Sequence, residues 1–116
     1  MKKYQVVFHL DEEAETKVNF VLNNLVNLLI DLGEENVDIE LLANGPAVKA
    51  FQKSNGELAG RVRQLADQNV VFAMCNNALK LFDLSSESLV EEAVVVPAGV
   101  SELVKKQSEG WAYIRP

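Results

Sequence analysis

The chain holds one cysteine and one histidine among 116 residues. A single cysteine closes no internal disulfide, and one cysteine with one histidine supplies too few soft ligands for a structural zinc site. No metal is expected. Positive charge is also sparse and scattered, with 11 basic side chains against 17 acidic ones and a formal net charge of -6. A phosphate backbone would meet repulsion over most of such a surface, which argues against a nucleic-acid partner. Long apolar runs are missing too. The opening MKKYQVVFHLDEE has too short an apolar stretch for a signal-peptide core, and nothing later approaches the ~18 apolar residues of a membrane span. A cytoplasmic protein with no membrane contact is the expectation. The glycine patterns G-x-G-x-x-G and G-x-x-x-x-G-K-[ST] are absent, as is C-x-x-C. Neither a dinucleotide or P-loop phosphate cradle nor a dithiol cycle within one chain is supported, and no cofactor is expected.

What is present fits one folded domain over residues 1–116, a length able to bury a core without staples. Tyr4 to Leu10 (YQVVFHL) carries apolar residues at consecutive positions, the mark of a strand covered on both faces. Residues 15 to 32 set Val18, Val21, Leu22, Leu25, Leu28, Leu29 and Leu32 at helical spacing, with Gly33 as the stop. Val37 to Ala43 reads as a second strand, ended by Asn44-Gly45-Pro46 and followed by a helix over about 47 to 53 and another around Leu58 to Ala66. Val70 to Met74 is a third strand, with Cys75 at its end and a short helix beyond. Ser85 or Ser86 caps one further turn, AVVV at 93 to 96 reads as a fourth, buried strand, and a helix over Val100 to Ser108 leads to a fifth strand, Trp111 to Ile114.

This alternation implies an α/β, flavodoxin-like three-layer fold, a mainly parallel five-stranded sheet with expected order 2-1-3-4-5 and helices on both faces. In that order the first and third strands are neighbours, so His9 and Cys75 meet at one crevice beyond the carboxyl ends of the strands. The helix beginning at Asn76 or Asn77 would favour a thiolate at Cys75, and His9 would take or share its proton. Two readings of each residue stay open: a reactive thiol or a packed one, a catalytic histidine or one bound to backbone. Asn44, Gly45, Asn76, Asn77, Pro97, Ala98 and Gly99 complete the expected binding site. The stripe Asn19, Asn23, Asn27 is a solvated face or a hydrogen-bonded contact, and the acidic pairs Glu12-Glu13, Glu34-Glu35 and Glu91-Glu92 read as solvated charge. Trp111 and Tyr113 pack in the core or anchor a subunit contact.

The segments VVFHL, NNLVNLL, ELLANGPAVKAF, VVFAMCNNAL and VVVPAGVSELVKKQSEGWAYIRP together resemble the DsrE/DsrF-like family, especially its small stand-alone members, over nearly the whole chain. The resemblance implies a homotrimer or homohexamer. In the sulfur-relay relatives, a cysteine after the third strand carries a persulfide between a donor and an acceptor protein, and Cys75 matches that position. The family segment after the cysteine differs from Asn76-Asn77. A small-molecule binding module without covalent chemistry, and a structural oligomer subunit, stand beside the sulfur-carrier reading.

Overall fold

A computed structural model describes residues 2–116. Strand β1 (Tyr4–Leu10) leads through helix α1 (Glu15–Leu32) to β2 (Val37–Ala43). A 3-10 helix (Gly45–Phe51) and α2 (Gly56–Ala66) connect β2 to β3 (Val71–Cys75), and α3 (Asn76–Leu81) leads on to β4 (Ala93–Val96). Helix α4 (Gly99–Ser108) then returns the chain to β5 (Ala112–Ile114). Gly33 ends α1 at φ 86°, a backbone region that L side chains rarely adopt, and its N–H donates to the Leu29 carbonyl.

All strand pairs are parallel, and the sheet order is β4-β3-β2-β1-β5. This corrects the expected order 2-1-3-4-5. The physical reason lies in β2, which is buried along almost its whole length and so takes the centre. The two shortest strands, β4 and β5, take the edges. Successive steps from β1 to β4 run in one direction, so right-handed crossovers lay α1, α2 and α3 on one face. The step from β4 to β5 returns across the sheet and lays α4 on the other.

The two faces are unequal. Val6, Phe8 and Leu10 of β1 join Ile39, Leu41, Phe72 and the apolar sides of α1 and α2 in the large core. Val7, Leu42, Ala73 and Leu103 form a smaller cluster beneath α4, with Trp111 half-buried against it. The consecutive apolar residues of β1 are therefore covered on both sides. Strand β4 is not: Val94 is 51% and Val95 40% exposed, so AVVV is an edge strand rather than a buried one. The asparagine stripe on α1 is tied to α2 by Arg61, which donates to Asn19 Oδ1 at 3.4 Å and Asn23 Oδ1 at 2.7 Å.

Candidate functional site

The carboxyl ends of β2 and β3 open into a crevice of ≈ 260 Å³. Cys75 is the last residue of β3 and directly precedes α3, so its backbone is extended while its side chain reaches the edge of the sheet. The thiol is buried, with the residue 6% exposed. The N–H of Gly99, the first residue of α4, donates to Cys75 Sγ at 3.2 Å. The sulfur therefore sits at the start of α4 as well as at the start of α3, and the longer α4 supplies the bonded donor.

A glycine at 99 is required by close approach. A β-carbon there would lie 2.9 Å from Asn44 Cβ, nearer than packed carbons come, and 3.1 Å from Leu42 Cδ1, tighter than most packed contacts. Hydrogen on Gly99 lets α4 start directly above the ends of β2 and β3.

Of the expected binding residues, Asn44, Gly45, Asn77, Ala98 and Gly99 line the crevice with Cys75. Asn76 and Pro97 do not line it. Ala78, Leu81 and Val100 do, and sequence reasoning did not single them out. Leu81 and Val100 are exposed apolar residues, giving the crevice an apolar rim.

His9 stands elsewhere than expected. Because β2 separates β1 from β3, His9 and Cys75 lie two strand spacings apart, about 9–10 Å between their strands. The expected meeting of the two on adjacent strands is corrected accordingly. His9 is hydrogen-bonded to Tyr113 through Nδ1 at 2.7 Å and to Asn44 Oδ1 through Nε2 at 3.0 Å. Asn44 is thus the group between the histidine and the thiol. Arg115 and Asp11 form an ion pair of 2.7 Å just past β5 and β1.

One buried ionisable group escaped the sequence reading. Glu40, in the middle of β2, is 5% exposed beneath α4, and its Oε2 has no hydrogen-bond partner among the described residues. Lys106 Nζ lies 3.8 Å from Oε1 and also stacks 4.1 Å over the Trp111 ring. Burial, reinforced by the neighbouring Glu102 carboxyl, raises the Glu40 carboxyl to about 8 against the opposing effect of Lys106. Its register shows why it is covered: Glu40 pairs with Val7 and Val71 and lies between Asp38 and Leu42 on the face of β2 that α4 overlies. Among the described residues no cluster of side chains is suited to hold a metal ion.

The DsrE/DsrF-like family pattern matches residues 2–116. The chain belongs to the DsrE/DsrF-like family. Among solved structures, this family member is 41% identical to MTH1491 from Methanobacterium thermoautotrophicum, described as a protein of unknown function. The match covers 97% of this chain and 99% of that one, with a TM-score of 0.91. The ychN protein from E. coli shares the fold at 17% identity, full coverage of both chains and a TM-score of 0.79. BT1422 from Bacteroides thetaiotaomicron shares it at 12% identity and a TM-score of 0.77, with 97% and 94% of the two chains covered. None of the curated proteins matches the chain. Among the described residues no helix is long and apolar enough to cross a membrane.

Proposed function

We propose that the protein is a cytoplasmic sulfur carrier that holds a persulfide on Cys75. The observation that supports this reading best is the Gly99 N–H aimed at the Cys75 sulfur at the mouth of an apolar-rimmed crevice. A carrier needs one thiol, a donor that stabilises sulfur anions, and walls that keep water from the terminal sulfur. In the loading step, the Cys75 thiolate attacks the outer sulfur of a donor persulfide. A new S–S bond forms as the donor's S–S bond breaks, and the donor leaves as a thiolate. Nothing is oxidised or reduced overall, so neither a second cysteine nor a cofactor is needed. An acceptor thiolate unloads the sulfur by the same exchange.

The working form in this reading is a homotrimer or homohexamer. The exposed Val94 and Val95 of β4, with Val100 and Val104 of α4, leave apolar surface for a second copy to cover. Leu81 and Val100 belong both to exposed surface and to the crevice rim, so assembly would also wall the crevice.

The test is intact mass spectrometry after exposure to a polysulfide donor. The wild-type chain should gain the mass of one sulfur atom, reversibly by reductant, and Cys75→Ser should gain none. The competing reading, a small-molecule site in which Cys75 is only a wall, draws on the burial of the thiol. It wins if wild type and Cys75→Ser are equally unmodified.

A further inference from the structure

We infer that Tyr113 is a positioning residue for the Cys75 crevice: acting through His9, it orients the Asn44 amide so that the amide N–H serves a sulfur anion on Cys75 as a second donor beside Gly99. The inference rests on the reading of Cys75 as a reactive thiol.

Hydrogen-bonding roles run one way along this chain of groups. Asn44 Oδ1 only accepts, so the 3.0 Å contact requires a hydrogen on Nε2, and when the ring carries a single hydrogen it sits there. Nδ1 is then bare and accepts from the Tyr113 hydroxyl at 2.7 Å. The ring is held at both nitrogens, with the Tyr113 ring tilted 49° against it at 5.8 Å. With Oδ1 committed to His9, the amide nitrogen turns the other way: Nδ2 lies 3.3 Å from the position a Gly99 β-carbon would take.

The backbone supports the same geometry. Asn44 N–H donates to the Leu10 carbonyl at 3.1 Å, and the Asn44 carbonyl accepts from Ala47 N–H at 3.2 Å, so the residue is seated at both ends. The register Ala43 to Met74, continued one step, sets Asn44 level with Cys75, and the two line one crevice. Among the described residues Nδ2 makes no hydrogen bond, which leaves its N–H groups for an occupant. Without the phenol, Asn44 alone holds the histidine's tautomer, and if the ring exchanges its hydrogen between nitrogens the amide can turn with it and present its oxygen to a sulfur anion, a repulsive contact.

The test is the rate at which a neutral alkylating reagent labels Cys75 in the native protein, at neutral pH and at about pH 10, where thiols are largely ionised. Tyr113→Phe should slow labelling about threefold at neutral pH and leave the alkaline rate unchanged. Asn44→Asp, which keeps an acceptor for His9 and replaces the donors with a charged oxygen, should slow it about tenfold. Nitrogen NMR of His9 should show a single tautomer in wild type and a mixture in Tyr113→Phe, a readout that loss of packing alone would not produce. The inference is overturned if wild type labels readily while both variants match it at neutral pH, or if the variants change equally at both pH values. If wild type resists labelling until it unfolds, the reactive-thiol reading falls first and this inference falls with it.

Discussion

The Gly99 N–H and the Cys75 sulfur, 3.2 Å apart and 24 residues apart in the chain, join the first turn of α4 to the end of β3. The sulfur accepts a bond that would strengthen with negative charge on it. Both residues also have their surroundings set by the sheet: Gly99 by Leu42 and Asn44, Cys75 by its pairing with Val96.

Gly99→Ala should therefore do two things at once. The added methyl meets Asn44 Cβ at 2.9 Å, and the start of α4 must move. The cost should be about 1–3 kcal/mol, as for other overpacked sites, seen as a thermal midpoint lower by several degrees. Sulfur loading should fall in parallel. A Gly99→Ala protein with wild-type melting and wild-type loading would show that the close approach is unimportant.

The state of the thiol is open to a direct test. A carrier thiol should react with a small alkylating reagent in the native protein, and Cys75 at 6% exposed should react more slowly than a free thiol but well before unfolding. Labelling seen only after denaturation would place Cys75 among inert packing cysteines.

Much of this arrangement is legible in the sequence, and the remainder is illegible for physical reasons. The run YQVVFHL announces a strand covered on both faces, Gly33 ends α1 as its position suggests, and VVFAMCNN places the thiol where a strand gives way to a helix. Strand order is not readable in this way, because each strand-helix-strand unit looks the same locally whichever neighbour its strand joins. The AVVV of β4 looks like core because apolar composition does not distinguish a buried strand from an edge. The bond from Tyr113 to His9 spans 104 residues and exists only because β5 pairs with β1. Glu40, set in VDIELLA, resembles a solvent-facing position until α4 is laid over it.

Assembly should be visible in light scattering as a mass several times the 12.8 kDa of one chain. Replacing Val100 and Val104, two exposed valines one helical turn apart on α4, by aspartate should shift it to the single-chain mass without changing the fold. A wild-type protein that runs as one chain at micromolar concentration would remove the oligomer from the proposal.

Glu40 leads to a pH dependence whose sign follows from its burial. The folded protein holds its proton up to about 8, whereas the ordinary value for the residue is 4.5. Between those values the folded state binds one more proton than the unfolded chain, so stability falls as pH rises. The contribution is fully present below 4.5 and lost once pH passes about 8. Lys106 and Glu102 on α4 are the charged groups that act on Glu40, one lowering and one raising its affinity for the proton. Glu40→Gln keeps the shape and removes the titration. The difference between the two proteins isolates this group from every other carboxylate. Denaturant unfolding should show the two changing little relative to each other below pH 4.5. The variant should then gain steadily, by on the order of a few kcal/mol in total, up to about pH 8. A difference independent of pH would mean that Glu40 does not hold its proton in the folded state. A difference of the opposite slope would mean that Lys106 neutralises an ionised Glu40 and that the ion pair, not the acid, seats α4 on the sheet.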